Sequence, residues 1–315
     1  MKRVLILLGP TGVGKTGASV IIARELDTEI ISADSMLIYR GMDIGTAKPS
    51  QQELGAVRHH MISVADPSES FSAGQYIEMV VPIIERLHGS GRVPLIAGGT
   101  GLYIKAITRG IFSGPSADWG LRDQLLALEE ESPGALYALL REMDPDAAQR
   151  IERRDTRRIV RAMEVCIRSN DRISRLQERL TKPLPYDFIK VGLTRARGEL
   201  YRMIDSRVEQ MMAQGLEGEV KSLLASHPDR TPLQAIGYKE FIACLKGEVS
   251  LDETVRLIKR NSRRYAKRQF TWFRKEQGIR WIDITGMPSA EDISAAVLRV
   301  LADEYGLYPA DKKTP

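Results

Sequence analysis

Short apolar runs alternate with helical patterns through the first half of the chain. Residues 4–8, 29–33, 61–64 and 93–97 are nearly continuous aliphatic or β-branched stretches of strand length, and between them the spacing predicts helices over 15–26 and 72–88. Strands that are apolar throughout, and not at alternate positions, belong to a sheet covered on both faces. With helices between them the sheet is parallel, and its crossovers are right-handed by default. The expected fold class is therefore α/β.

From residue 113 the pattern changes. Helical segments at 121–131, 134–141, 156–167 and 172–180 follow one another without a strand until 188–193, which predicts an all-helical insertion over 113–187. Ser113-Gly114-Pro115 marks its entry and Lys182-Pro183-Leu184-Pro185 its exit. Helices resume at 199–213 and 216–225, with a loop at His227-Pro228. In the long helix that follows, Ser250 and Glu253 have capping-box spacing, and Leu251, Val255, Ile258, Tyr265 and Trp272 form one stripe interrupted by Ser262 and Gln269. Core packing is the expectation for that stripe. A last strand is predicted at 281–284 and a frayed tail at 308–315. The organisation is one core, 1–112 and 188–307, interrupted by the insertion.

Composition narrows the class. With 43% apolar, 28% charged and 6% aromatic residues, the 315-residue chain has the make-up of a globular protein and not of a disordered or fibrous one. The apolar run at 4–8 is far short of the ~20 residues of a membrane span and unlike a cleavable signal, so no membrane association is expected. Cys166 and Cys244 stand alone, without zinc-type spacing or a disulfide framework, which fits a cytoplasmic protein. The net charge of +5 conceals two basic bands. Residues 150–182 hold eleven basic and five acidic side chains, and 256–275 hold nine basic and none acidic, leaving the rest of the chain at −10. Such bands point to a polyanion, RNA or DNA before lipid, since no amphipathic anchor accompanies them.

The candidate chemistry follows the first predicted strand. Gly9, Pro10, Thr11, Gly12, Val13, Gly14, Lys15 and Thr16 satisfy G-x-x-x-x-G-K-[ST] and lead into a helix. The backbone of such a loop wraps an anion, the helix N-terminus turns N–H groups towards it, Lys15 adds charge and Thr16 offers a hydroxyl to Mg²⁺. Asp34 ends the second strand, on the edge where an α/β sheet places its ligand crevice. An indirect Mg²⁺ partner, a general base and a turn cap are all open to it. Ala97-Gly98-Gly99-Thr100-Gly101 ends a third strand without an acidic residue to hold a nucleotide's metal.

These residues resemble a known family. GPTGVGKT, SADSMLIYRGMDIGTAKP (32–49), HHMISVADPSESFS (59–72), IAGGTGLYIKA (96–106), RRIVRAMEV (157–165), IGYKE (236–240) and YAKRQFTWFRK (265–275) are together similar to bacterial tRNA dimethylallyltransferases, also called tRNA isopentenyltransferases. The similarity runs in order from about residue 1 to 285. It implies a P-loop NTPase-like sheet with an inserted helical tRNA-binding subdomain. It also implies transfer of the dimethylallyl group of dimethylallyl diphosphate to N6 of the adenosine 3′ of a tRNA anticodon.

By resemblance, Gly9 to Thr16 hold the diphosphate, with Lys15 on it and Thr16 on Mg²⁺. Asp34 is the base, Thr100 lies near the reacting groups, and Arg207 reaches the diphosphate, with Arg202 five residues earlier as the alternative. For tRNA the matching positions are Asp34, Ser35, Met36, Leu37, Thr100, Arg122, Arg157, Arg158, Ile159, Val160, Arg161, Gln234, Gly237, Tyr238 and Lys239. Tyr238 is open between a base contact and core. Leu37 stands where many bacterial members have glutamine, which bears on one polar base contact and not on the chemistry. Arg157, Arg158 and Arg161 can instead pair with Glu152, Asp155 or Glu164, and His59 and His60 are expected to be structural. The two scattered cysteines leave no room for the added zinc finger of eukaryotic relatives, and a monomer is the expectation. Two rival readings stand beside this one: a P-loop kinase or NTPase acting on a small metabolite, and a non-catalytic RNA-binding protein whose loop senses a nucleotide.

Overall fold

Val4, Leu5, Ile6, Leu7 and Leu8 are wholly buried, and they form most of the first strand, β1 (Arg3–Leu8). The computed structural model describes residues 2–112 and 114–307. Ser113, at the expected entry to the insertion, and the expected tail at 308–315 lie outside the described residues. After β1 come α1 (Lys15–Glu25), β2 (Ile30–Ala33), α2 (Gln51–Ala56), β3 (His59–His60), α3 (Ala73–Gly89), β4 (Leu95–Gly98) and α4 (Gly101–Arg109). Five helices follow: α5 (Trp119–Glu131), α6 (Ala135–Met143), α7 (Pro145–Arg150), α8 (Thr156–Ser169) and α9 (Ile173–Leu180). The chain returns to strand at β5 (Asp187–Thr194) and continues through α10 (Arg197–Ala213), α11 (Leu216–Ala225), α12 (Arg230–Leu233), α13 (Tyr238–Leu245), α14 (Leu251–Phe273), β6 (Ile279–Asp283) and α15 (Ala290–Tyr305).

Two compact units result: one takes the chain up to Ile104 and again from Pro185, the other is Lys105–Leu184. In the first, the six described strands make one parallel sheet in the order β3-β2-β4-β1-β5-β6. The expected parallel sheet flanked by helices is thus present. β1 lies at its centre, with Leu5 opposite Leu95 on one side and Ile189 on the other. Because all strands run the same way, the loops after β1, β2 and β4 leave the same edge. One apolar cluster joins the sheet to α1 and α15, and another joins Ile38, Tyr39 and Met42 to α11 and α13. The second unit packs α5 to α9 around its own core of Leu136, Leu140, Ile159, Met163 and Val165.

Three local expectations are corrected. The apolar run 61–64 is not a strand: β3 stops at His60, and Met61 and Ser63 take φ of 62° and 53°. The segment instead lies beside 37–40, with Ser63 N–H bonded to Leu37 O and Ala65 N–H to Ile38 O. At the start of α14, Ser250 accepts the Glu253 N–H at 3.2 Å, but the Glu253 carboxylate turns to Arg256, so only half of the capping box forms. The buried face of α14 comprises Thr254, Ile258, Ala266, Gln269 and Phe273, while Leu251 is 47% exposed. Packing against both α10 and α13 rotates and widens the buried arc beyond the single stripe that apolar residues mark.

Candidate active site

Gly14, with φ of 104°, turns the chain from the loop after β1 into α1. Lys15 folds back over this loop and donates to Gly9 O at 2.9 Å and Pro10 O at 2.7 Å. Burial lowers its ammonium to about 7; Asp34 pulls the other way, and Arg207 adds to the lowering. Thr11, Gly12, Gly14, Lys15 and Thr16 line a cavity of about 590 Å³, whereas Val13 is wholly buried in the core and does not line it.

The same cavity receives Asp34 and Leu37 from the end of β2, and Arg202 and Arg207 from α10. Asp34 Oδ1 accepts the Met36 N–H at 2.9 Å, an Asx turn that fixes the carboxylate. The turn-cap reading of Asp34 is therefore realised, and the carboxylate also faces the Lys15 cation. Of the two candidate arginines, Arg207 contacts the loop, with Nη1 3.5 Å from Thr11 Oγ1. Burial lowers its guanidinium, while Asp34 and Glu53 hold it up. Arg202 is exposed at the rim.

Thr100 N–H bonds to Ala33 O, which joins the ends of β4 and β2, and Thr100 Oγ1 accepts the Ser35 N–H at 3.0 Å. The close approach requires glycine beneath it: a Cβ on Gly98 would lie 2.3 Å from Ala33 O. Tyr265, expected as core, instead brings its hydroxyl beside Thr100 and Gln269. Burial, then Asp34, push that phenol upward against the hydrogen bonds to Thr100 and Gln269. Gln269, a mere interruption of the α14 stripe in sequence, is 6% exposed and bonds to both Thr11 and Gly99.

A second residue without a sequence signal is Glu219. Its carboxylate accepts the N–H groups of Asp43, Ile44 and Gly45 at 2.7, 2.7 and 2.9 Å, fixing the loop that leads into the cavity wall at Thr46, Ala47 and Pro49. Tyr238 donates to it at 2.5 Å and is wholly buried, so core is the reading that holds, and its side chain is not at an RNA surface. Gly237 is buried too, while Gln234 and Lys239 beside it are exposed. His60 bonds to Glu29 at 2.6 Å, and Arg86, with His60 beside it, holds that carboxyl down to about 2 against burial. His59 Nδ1 meets Val57 O at 2.8 Å.

In the helical unit, Arg122 grips Glu164 with two bonds of 2.9 and 2.8 Å, Arg161 pairs with it, and the Asp118 N–H adds a third donor. Glu164 is wholly buried. Arg158 pairs with Asp155 at 3.3 Å, and Arg157 is exposed. Ile159 and Val160, both expected at the RNA surface, are instead 1% and 5% exposed core residues of the helical unit.

A family model described as IPP transferase matches residues 37–276. A tRNA dimethylallyltransferase of Thermodesulfovibrio yellowstonii is 51% identical over 96% of this chain and 98% of its own. A solved tRNA isopentenylpyrophosphate transferase of Bacillus halodurans is 40% identical, covers 98% of this chain and 99% of its own, and superposes with a TM-score of 0.70. A solved eukaryotic dimethylallyltransferase acting on tRNA is 27% identical, covers all of this chain and 82% of its own, and has a TM-score of 0.80.

Proposed function

The chain belongs to the IPP transferase family, and on that premise we propose that it transfers the dimethylallyl group of dimethylallyl diphosphate to tRNA. It is a prenyltransferase that modifies tRNA. The acceptor is N6 of the adenosine immediately 3′ of the anticodon, in tRNAs reading codons that begin with U. That base is reached by extrusion from the anticodon loop, since a stacked adenine cannot meet a carboxylate set inside a cleft.

The observation that carries this reading is the single cavity in which Lys15 and Arg207 meet Asp34, with Leu37, Ile62 and Ala97 supplying apolar wall. Two cations suit a diphosphate, the apolar wall suits a prenyl tail, and the carboxylate suits a proton. The allylic C–O bond breaks with its electron pair leaving on diphosphate, the N6 lone pair forms the new N–C bond, and the N6 proton passes to Asp34. An allylic carbon supports positive charge, so the help needed is greatest at the leaving group. Lys15, Arg207 and the N–H groups of residues 12–16 provide it. Thr100, bonded to Ser35, holds the turn against which the adenine lies.

Mg²⁺ fits this donor set. Among the described residues no group of three or more His, Cys, Asp or Glu could cage a metal, but Thr16 offers a hydroxyl to it at the cavity wall, and Asp34, kept as the base, faces the same space. Such sparse protein ligation is what Mg²⁺ accepts when water and phosphate oxygens complete its shell. When bound it neutralises charge on the diphosphate. Arg157, Arg158, Gln234 and Lys239 are the exposed candidates for tRNA, and Arg122 and Arg161 shape the helical unit's basic surface through Glu164. Acting on tRNA, the enzyme works in the cytoplasm; among the described residues no helix is long and apolar enough to cross a membrane.

The test is incubation with unmodified tRNA, Mg²⁺ and labelled dimethylallyl diphosphate, without ATP. Label entering tRNA is the expected result. ATP turnover with no transfer would return the chain to the small-metabolite kinase reading.

A further inference from the structure

We infer that Gln269 is a positioning residue for this transfer: its amide ties the diphosphate loop to the turn that carries Thr100, and so sets the spacing between leaving group and acceptor. The inference rests on the proposed reaction and adds to it a residue from α14, an element otherwise marked only by its basic face.

Gln269 Oε1 accepts the Thr11 N–H at 2.8 Å, and Nε2 donates to Gly99 O at 2.9 Å. The two partners lie on different loops, after β1 and after β4, and one 6%-exposed side chain satisfies both. Thr11 also faces Arg207, and the preceding Pro10 O receives Lys15, so the loop that Gln269 backs touches two of the cations that line the cavity. On the other side, Gly99 leads directly to Thr100. The packing is close enough that a Cβ on Gly99 would lie 2.5 Å from Gln269 Nε2 and 3.1 Å from Gly9 O. Tyr265, one helical turn earlier on α14, reaches Thr100 as well, so the helix seats two side chains at the same turn.

The chemistry singles out an amide. One end must accept and the other donate, at the reach of two methylenes. A glutamate of the same shape has only acceptors when ionised and sets a negative oxygen against Gly99 O. Protonated, it again presents one acceptor and one donor. Methionine fills the volume and makes neither bond.

The test compares wild type, Gln269→Met and Gln269→Glu by three readouts. These are binding of inorganic diphosphate by calorimetry, kcat and KM for each substrate, and activity relative to wild type as a function of pH. Gln269→Met is expected to weaken diphosphate binding and lower kcat by about tenfold or more, with KM for tRNA unchanged. Gln269→Glu is expected to share the defect at about pH 8 and to regain activity relative to wild type towards about pH 6, as its carboxyl takes up a proton. A side chain that merely fills space predicts instead a near-normal glutamate variant at every pH. Wild-type diphosphate affinity and kcat in Gln269→Met, or a Gln269→Glu profile parallel to wild type, would overturn the inference. If Gln269→Met does not fold, the glutamate profile decides alone. If wild type binds diphosphate but transfers no label, the proposed reaction fails, and the calorimetric comparison still decides whether Gln269 holds the loop.

Discussion

The ammonium of Lys15 rests on the carbonyl oxygen of Pro10, 2.7 Å away within its own loop. Burial brings it to about 7, so near pH 8 the free site holds it largely neutral. A bound diphosphate favours the ammonium and raises that pKa. Lys15 is therefore expected to take up close to one proton on diphosphate binding at about pH 8 and much less at about pH 6, read as the difference between wild type and Lys15→Met because diphosphate exchanges protons of its own. Calorimetry in buffers of differing ionisation enthalpy measures the net exchange for each protein, and an exchange identical in wild type and Lys15→Met would contradict the assignment.

Asp34→Asn keeps the acceptor that closes the turn on Met36 and removes the base. Single-turnover transfer is expected to fall by about 10² or more, with tRNA affinity nearly unchanged. Transfer at the wild-type rate, with the turn intact, would leave Asp34 a turn-holding residue and not the base.

Glu164 is the charge on which the helical unit turns. Burial alone would raise its carboxyl, but Arg122, the Asp118 N–H and Arg161 outweigh burial and hold it below the usual range. A carboxyl lowered by folding gives stability that is present above its unfolded pKa and lost as pH falls through the folded one. Glu164→Ala leaves two partly exposed arginines and the Asp118 N–H without it and is expected to destabilise the unit by about 1–3 kcal/mol, read by urea unfolding followed with a probe in that unit.

Tyr238→Phe separates core from interface. Removing the hydroxyl that meets Glu219 is expected to cost about 1–3 kcal/mol of stability and to leave tRNA affinity as it was. Weaker tRNA binding without loss of stability would contradict the buried position.

Arg157 is exposed, and its replacement should change binding and not folding. In Arg157→Ala the slope of log affinity for tRNA against log salt is expected to flatten by about 0.7–0.9, the share of one phosphate contact. An unchanged slope, measured by filter binding across a salt series, would remove Arg157 from the RNA surface.

Much of this molecule is legible from periodicity. The runs that became β1, β2, β4 and β5 are apolar because both faces of a parallel sheet are covered, and the phosphate loop is legible because glycines at fixed spacing have one geometric use. The run at 61–64 misleads because burial in a loop needs the same residues as burial in a strand, and only the φ of Met61 and Ser63 tells them apart. Ile159 and Val160 show a different limit. They sit between arginines that a motif assigns to RNA, yet helical geometry turns them inward. Gln269 and Glu219 carry no local signal at all, because their partners lie far away in sequence at Thr11, Gly99 and Asp43 to Gly45. A polar residue on an apolar stripe reads as a flaw until the groups it satisfies are known.

The sheet also sets an order of events during synthesis. β1 leaves the ribosome well before its neighbour β5, which pairs Leu5 with Ile189 and follows about 180 residues later, roughly 10–40 s at ordinary elongation rates. The Lys105–Leu184 unit has its own apolar centre and is complete before β5 emerges. The segment that interrupts the nascent sheet is thus free to fold first, while the open edge of β1 waits for its partner. A pause after residue 184 would lengthen that exposure, and the half-made sheet is the stage at which a chaperone has most to protect.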